Sequence, residues 1–278
     1  MGIFSGCLLA SDIDETLLDS GKIPKANLDK IDYFLSEGGT FALATGRTAK
    51  AIEPIFKQLE ISKVGPSVTT NGGVIYDFSK GKVLAEKVLL DSEKEIAKRV
   101  LKEMNNIGIE VHTTKEIYTL NLIPLGVEHV NYVGMEVKET DFDEIKDINW
   151  NKVLYLCNTM EDREKLTDLI SCQHSESDFL NSSAIINGVQ SYYYEQLPKN
   201  TSKGVGIREL GKICHIKKGG IFAIGDYYND EAMLKEADIS ATTAGSPDDL
   251  KKIVQFVSSS AKEGAVATFI DYLKEKFS

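Results

Sequence analysis

Two aspartates two positions apart, Asp12 and Asp14, follow the apolar run Cys7–Ala10 near the start of the chain. Alternate residues of a strand share one face, with α-carbons about 7 Å apart. Two carboxylates at that distance repel each other by roughly 2–3 kcal/mol at an effective dielectric constant near 20. A proton or a metal ion can offset this repulsion, so the pair is a candidate for acid–base chemistry or metal binding.

Further polar clusters also follow short apolar stretches. They are Thr45-Gly46-Arg47, Asn71-Gly72, and Gly225-Asp226 with Asn229-Asp230, while Lys203 opens a predicted helix. Each cluster alone is typical of a turn or a helix cap. Ligands of parallel sheets bind at the carboxyl ends of the strands, and helix N-termini suit phosphate. The joint occurrence of these clusters therefore predicts one site.

The elements that must position these residues alternate between strand and helix at both ends of the chain. Strands cluster with only a few helices in the middle segment. Alternation is typical of a parallel sheet, and clustered strands are typical of an α+β unit. We therefore predict an α/β protein with a Rossmann-like core domain (residues 1–84 and 191–278) and a smaller inserted α+β domain (residues 85–190).

Composition limits the function. The chain has 278 residues, is 42% hydrophobic and 27% charged, and carries a formal net charge of −10. This charge argues against general binding to nucleic acid or to membrane surfaces, since both are anionic. No apolar stretch is long enough to span a bilayer, no basic signal region is apparent, and the four cysteines are scattered. We therefore expect a cytoplasmic protein with reduced cysteines, and the sequence predicts no oligomeric state.

Taken together, the motifs resemble those of the haloacid dehalogenase (HAD) superfamily. The resemblance is closest to the Cof-type phosphatases, whose α/β cap (C2 type) is inserted between the second and third motifs. It covers essentially the whole chain and rests on these segments: Asp12-Ile13-Asp14-Glu15-Thr16-Leu17, Ala44-Thr45-Gly46-Arg47, Lys203-Gly204 and Gly225-Asp226-Tyr227-Tyr228-Asn229-Asp230.

The resemblance implies a phosphatase mechanism for a small phosphorylated metabolite. Asp12 would attack phosphorus to form an aspartyl-phosphate, and Asp14 would protonate the leaving alcohol and then activate water. Thr45, Gly46 and Lys203 would hold the phosphoryl group. Arg47 would contact phosphate or substrate, although a salt bridge is nearly as well supported by its position.

The resemblance also implies a Mg²⁺ cofactor. Asp12, Asp226 and the backbone carbonyl of Asp14 would bind the ion, a hard cation that prefers oxygen ligands. Asn229 and Asp230 would support the waters of the metal or Lys203. A bound cation would turn the carboxylate repulsion into coordination and would let a phosphate dianion approach the aspartates.

One residue departs from the Cof-type pattern, because Glu15 stands where glycine is usual. Two alternatives remain open beside the phosphatase, and only the second of them is motivated by Glu15. One is a phosphosugar mutase on the same scaffold, and the other is a catalytically silent ligand-binding protein. The inserted cap would set specificity, and its candidate pocket residues, each of which is more expected in the surface or the core, are His112, Tyr118, Asn121, His129, Tyr132 and Asn187.

Overall fold

The computed structural model describes residues 2–133, 136–186 and 188–278. The chain forms two compact units. The core unit comprises Met1–Arg47, Ile52–Ala85 and Ser202–Ser278, and the cap unit comprises Thr48–Ala51 and Glu86–Thr201. The boundary expected after residue 190 falls inside a strand of the cap unit. That strand, Val189–Leu197, pairs along its length with a cap neighbour, so the chain returns to the core unit only at Ser202.

A five-stranded parallel sheet forms the centre of the core unit, which confirms the predicted Rossmann-like α/β architecture. The strand order is β14-β13-β12-β1-β2. The strands are β1 (Leu8–Ser11), β2 (Thr40–Leu43), β12 (Ile221–Gly225), β13 (Ile239–Thr242) and β14 (Phe256–Val257). The residues of β1 and β12 are all buried, as expected for strands covered on both faces.

A second, three-stranded sheet of the core unit has the order β3-β4-β5. Its strands are β3 (Ser67–Thr69), β4 (Val74–Asp77) and β5 (Lys82–Glu86). β3 also meets the end of β2 through a parallel bridge between Ala44 and Val68. The end of β3 therefore lies beside the end of β2, which brings the Asn71-Gly72 turn to the same edge as Thr45.

Helices cover the sheets of the core unit. They are α1 (Lys25–Ser36), α7 (Lys203–Ile213), α8 (Glu231–Glu236), α9 (Asp248–Lys251) and α10 (Ala265–Phe277). Most of α2 (Ala49–Ile52) belongs to the cap unit. After α2 the chain continues as a 3₁₀ turn at Glu53–Lys57, because Pro54 lacks the N–H that an α-helix needs.

Asn27 of α1 is fully buried and ties the first motif to the last helix. Its side-chain amide donates to the carbonyl of Leu17 at 3.1 Å, and its side-chain oxygen accepts from the backbone N–H of Ala267 at 2.9 Å. A buried amide satisfied on both sides fixes its neighbours. The loop that carries Asp12 and Asp14 is therefore anchored at its far end.

The cap unit is built on a six-stranded sheet with the order β10-β11-β9-β6-β7-β8. The strands are β6 (Gly108–His112), β7 (Ile117–Asn121), β8 (Val137–Glu139), β9 (Lys152–Cys157), β10 (Asp178–Ile186) and β11 (Val189–Leu197). All neighbours are antiparallel except β7 and β8. This confirms the separate α+β unit.

The two faces of the cap sheet differ in what covers them. One face packs on α3 (Asp91–Glu103) and α6 (Met160–Ser171) around Trp150 and Tyr155. The helix α4 (Pro124–Val133) contributes Leu125 to a smaller apolar cluster with Leu154 and Leu156 on the opposite face, and α5 (Phe142–Ile145) completes the unit. Within the described ranges, no helix combines the length and apolar character needed to cross a membrane.

Candidate active site

The strand ends of the core unit bring the predicted polar clusters together. β1 lies between β2 and β12, with Ser11 opposite both Leu43 and Ile224. The backbone N–H of Asp12 donates to the carbonyl of Ile224 at 2.9 Å, so Asp12 leaves the sheet beside Gly225 and Asp226. Because the strands are parallel, their carboxyl ends share one edge.

Lys203 lies at the centre of this edge. Its side chain is fully buried, and its ammonium donates to Asp12 Oδ1 and Asp230 Oδ1, each at 2.6 Å. Lys203 opens α7, whose N-cap residue Ser202 accepts from the backbone N–H of Val205 at 3.2 Å. The helix cap therefore fixes the backbone position of Lys203, and the two carboxylates fix the position of its ammonium group.

Asp226 joins the same cluster. Its Oδ1 accepts from Thr16 Oγ1 at 2.9 Å, and its backbone N–H donates to Asp230 Oδ2 at 2.9 Å. A β-carbon on Gly225 would fall 2.4 Å from the carboxyl carbon of Asp230, so this position excludes other side chains. The sequence places Thr16 in the first motif but predicts no role for its side chain. Its place in the D-x-D-x-T motif was the available signal.

One oxygen from each of Asp12, Asp226 and Asp230 lies within 4.8 Å of the others. Burial, followed by the nearby acids, raises the pKa of Asp12 well above its ordinary value, despite the opposing effect of Lys203. Burial and then Asp230 raise the pKa of Asp226 to about 7. For Lys203, burial alone would lower the pKa, but the charges of Asp12 and Asp230 outweigh it and raise the pKa above the ordinary value.

This electrostatic balance suits a divalent cation. Three ionised carboxylates against the ammonium of Lys203 would leave roughly two negative charges uncompensated, which adds to the effect of burial in raising the pKa of Asp12 and of Asp226. Carboxylate oxygens are the donors that Mg²⁺ prefers. The acidic cluster therefore fits the cofactor that the resemblance implies.

Asp14 takes a different position from the three clustered acids. Its carboxylate forms a two-pronged ion pair with Arg47, at 2.9 Å from Nε to Oδ2 and 2.6 Å from the terminal nitrogen to Oδ1. The side chain of Asp14 is half-exposed, at 48%. The structure thus shows the salt bridge of Arg47, and its contact with phosphate stays a prediction, as does binding of metal by the backbone carbonyl of Asp14.

Thr45 and Gly46 follow β2 and contact Arg47 and the Asn71-Gly72 turn. Thr45 is buried, and its hydroxyl accepts from the backbone N–H of Arg47 at 3.1 Å. Its carbonyl accepts from the backbone N–H of Asn71 at 3.0 Å, and a β-carbon on Gly46 would fall 2.9 Å from Asn71 Oδ1. The second motif and the Asn71-Gly72 turn are therefore closely packed. Their phosphate-binding role stays a prediction.

The remaining motif positions are placed as follows. Asn229 is half-buried in the 3₁₀ turn Tyr228–Asp230. Glu15 is exposed with φ of 54°, a left-handed conformation that favours glycine. Glu15 in place of glycine therefore strains the backbone at this position. It also adds a negative charge, which contributes to the raised pKa of Asp226.

The candidate pocket residues of the cap unit have mainly structural contacts. Asn121 donates to the carbonyls of Asn105 and Ile107, at 3.0 and 2.7 Å, and Tyr118 packs against the cap core. His112 and His129 are buried, and both contact Glu110. Asn187 and the side chain of Tyr132 lie outside the described part of the structure.

Comparison with known proteins agrees with this geometry. The family model described as haloacid dehalogenase-like hydrolase matches residues 9–270. A Streptococcus pyogenes protein with a provisional phosphatase name is 28% identical over 269 residues, covering 94% of this chain and 95% of its own length. The Bacillus subtilis 5-amino-6-(5-phospho-D-ribitylamino)uracil phosphatase YwtE is 26% identical over 290 residues, covering 95% of this chain and 97% of its own.

A solved structure shows the same fold. The haloacid dehalogenase-like hydrolase from Bacteroides thetaiotaomicron superposes with a TM-score of 0.80 at 22% identity, covering 96% of this chain and 99% of that one. At this identity the likeness bears on the fold alone. The fold of this chain is therefore shared with a known structure.

Proposed function

The chain belongs to the haloacid dehalogenase-like hydrolase family and is a phosphatase, and from this premise we propose that it hydrolyses a small phosphomonoester with the help of Mg²⁺ through an aspartyl-phosphate intermediate. The substrate class is a sugar phosphate or a similar phosphorylated metabolite. YwtE, by its name, acts on a phosphoribityl compound, which is of this kind.

In the first step, Asp12 attacks phosphorus and the bond to the leaving alcohol breaks. Asp12 is held for this step by Lys203, whose ammonium also offsets the charge of an incoming phosphate. Thr45 and Gly46 supply polar contacts to the phosphoryl oxygens. Lys203 is kept in place by Asp230, so its charge stays at the reacting carboxylate.

Asp14 gives a proton to the leaving alcohol and then takes one from the water that hydrolyses the aspartyl-phosphate. Both oxygens of Asp14 accept from Arg47 in this structure, so one of them must be released before it can carry a proton. Arg47 then becomes available to the substrate phosphate. This exchange reconciles the observed salt bridge with the proposed phosphate contact.

Asp12, Asp226 and the backbone carbonyl of Asp14 would hold Mg²⁺, with Asn229 and Asp230 supporting its waters or Lys203. When bound, the ion supplies positive charge that neutralises the acids and polarises the phosphoryl group. The observation that carries the proposal is the convergence of Asp12, Asp226 and Asp230 around the buried Lys203.

The setting of the reaction is part of the same proposal. A net charge of −10 argues against nucleic-acid and membrane partners. The four cysteines are unpaired, as expected in a reducing compartment, so we place the protein in the cytoplasm.

Turnover of p-nitrophenyl phosphate tests the proposal. Asp12→Asn should abolish turnover while the circular dichroism spectrum and the unfolding midpoint stay close to those of the wild type. The matched control is Asp29→Asn, since Asp29 is exposed on α1 and forms an ion pair with Lys25, away from the acidic cluster. Removing Mg²⁺ with EDTA should stop turnover, and adding Mg²⁺ back should restore it. Full turnover by Asp12→Asn, or in EDTA, would refute the mechanism.

A further inference from the structure

The two edge strands of the cap sheet, β8 and β10, differ in length and in charge. β8 has three residues, of which Lys138 and Glu139 are charged, whereas β10 has nine residues. No charged residue lies between Asp178, the first residue of β10, and Glu195 in the sequence. Short length and charged side chains keep edge strands from pairing with other chains. β8 therefore has this protection, and β10 lacks it beyond its first residue.

The outer side of β10 offers backbone groups to another strand. Every residue from Asp178 to Ile186 pairs with β11, without a register shift. In an antiparallel pair, the N–H and C=O groups of alternate residues point away from the partner strand. Among the described residues, no backbone hydrogen bond reaches these outward groups of β10. The outer side of β10 is therefore a row of unused donors and acceptors.

The sequence of β10 is complementary to itself. Two copies of the strand can run antiparallel about a twofold axis through Ser182, its middle residue. In this register Asn181 of one copy lies opposite Ser183 of the other, and both residues are exposed and polar. Phe179 lies opposite Ile185, so apolar side chains also meet each other. Matched cross-strand pairs of this kind stabilise a sheet.

Ile185 and Phe179 give this pairing its apolar contact. Ile185 is 67% exposed, which is the highest value for a large apolar side chain among the described residues. Phe179 is half-buried and stacks on Tyr194 of β11, with the ring centroids 5.2 Å apart. Opposite residues of paired strands have β-carbons about 4.5–5.5 Å apart, so Ile185 of one copy would reach the Phe179 ring of the other. The twofold axis makes this contact twice.

The charge distribution favours β10 as a surface for self-association. At a net charge of −10, two copies of the chain repel each other wherever acidic surfaces meet. The one charged residue of β10 is Asp178, whose Oδ2 accepts from the backbone N–H of Thr201 at 2.9 Å. In the register centred on Ser182, the two copies of Asp178 lie at opposite ends of the strand pair, about 27 Å apart. This distance is well beyond the screening length of about 8 Å at physiological salt, so their repulsion is small.

We propose that two copies of this chain associate through antiparallel pairing of β10 with β10, which joins their cap sheets into one continuous sheet. The same strand serves on both copies, so the pairing closes as a dimer and does not extend into a fibre. The charged residues of β8 protect the other edge of each sheet. A contact of one strand from each copy is small, and small interfaces are weak and reversible. The proposal does not depend on the proposed phosphatase function.

Sedimentation equilibrium of the full chain, from about 1 to about 300 μM, tests this pairing in the range where weak interfaces form. The average mass should rise with concentration from that of the monomer toward that of the dimer. Asn181→Lys brings two lysines to about 7–8 Å from each other across the twofold axis and should weaken association by at least about tenfold. Ser183→Glu should act in the same way through two glutamates.

The double variant Asn181→Lys/Ser183→Glu tests the register. It places each lysine directly opposite a glutamate of the other copy, so it should recover most of the association that the single variants lose. Asn105→Lys is the matched control, because Asn105 is exposed in the same unit and lies outside the sheet. It should associate as the wild type does. Circular dichroism and the unfolding midpoint should stay unchanged in all variants, since the substituted side chains are exposed.

Several outcomes would overturn the proposal. They are a wild-type chain that stays monomeric over the whole range, unweakened association of Asn181→Lys, equal weakening by Asn105→Lys, and a double variant that associates no better than the single ones. Amide hydrogen exchange of the wild type is a second measurement that needs no variant. The amides of β10 should exchange severalfold more slowly at the high concentration than at the low one, and those of β8 should not change. Equal exchange of the β10 amides at both concentrations would also overturn the pairing.

Discussion

Glu15 occupies a backbone conformation that favours glycine, so Glu15→Gly should make the core unit more stable. The φ of Glu15 is 54°, and its side chain is exposed, so few packing contacts are lost. A left-handed conformation costs an L-residue roughly 1–2 kcal/mol. Glycine also increases the conformational entropy of the unfolded chain, which lowers the stability by about 0.4–1 kcal/mol and offsets part of this gain. The net gain should be about 0.5–1 kcal/mol.

The assay is thermal and urea unfolding at pH 7 in EDTA. A gain of this size should raise the unfolding midpoint by roughly 1–4 °C for a chain of this length. Glu15→Gln separates the backbone from the charge, because it keeps the strain and removes the repulsion with Asp226. Glu209→Gly, in the middle of α7, should lower stability by about 1 kcal/mol or more, since glycine weakens a helix.

The comparison between Glu15→Gly and Glu15→Gln decides the question. If the two variants are equally stable, the strain argument is wrong and charge alone matters. If Glu15→Gly is the less stable, the Glu15 side chain makes contacts that outweigh the cost of its backbone conformation. Either outcome would refute the reasoning.

Three further predictions follow from the geometry. Gly72→Ala should prevent the core unit from folding, because a β-carbon at this φ of 98° would lie 2.1 Å from a backbone oxygen. Gly21→Ala is the control and should cost only about 1 kcal/mol, because Gly21 has a similar φ of 78° but no atom within 4 Å of the added β-carbon. Equal urea midpoints for the two variants would contradict this prediction. The pKa of Asp226 is raised to about 7, so the metal-free protein should lose stability as pH rises from about 4 to about 7. In thermal unfolding, Asp226→Asn should make the dependence of stability on pH less steep. The same pH dependence in the variant and the wild type would exclude Asp226 as its source. The pKa of His112 is lowered to about 4, so stability should fall by up to about 3 kcal/mol as pH drops from 6.5 to 4. His112→Gln should remove this loss of stability in urea unfolding. The same pH dependence of stability in the variant and the wild type would count against the prediction.

Local sequence pattern predicted the core fold and the meeting of the motifs. Short apolar runs followed by Asp12, Thr45 and Asp226 indicated parallel strands, and parallel strands end at one edge. The positions of these residues therefore followed from topology alone. Lys203 was predicted from its place at the start of a helix, and the structure adds that it is buried between Asp12 and Asp230.

Side-chain pairing across the fold could not be predicted in the same way. For Arg47 the sequence favoured a contact with phosphate or substrate only slightly over a salt bridge, and the distance from Arg47 to Asp14 shows that the structure holds the salt bridge. The hydrogen bond from Thr16 to Asp226 joins residues 210 positions apart, which no local pattern reports. Long-range partners depend on packing as a whole.

The cap unit was less predictable than the core. β10 contains the polar segment Asn181–Ser183, so the apolar alternation that marks a strand is weak. The end of the cap domain was therefore expected at residue 190, which lies inside the partner strand β11. α4 gave no clear start signal beyond Pro124. Its His129 contacts Glu110 of β6, a residue that the sequence did not single out.

The most direct test of the central claim is to trap the phosphate on the protein. Wild-type enzyme is mixed with a ³²P-labelled phosphomonoester and Mg²⁺, quenched in acid within one turnover, reduced with borohydride and digested. Label should appear on the quenched protein, and reduction should convert Asp12 alone to homoserine, because only an acyl phosphate reacts in this way. Phosphate that reaches water with no labelled protein, or a label on any residue other than Asp12, would contradict nucleophilic attack by this carboxylate.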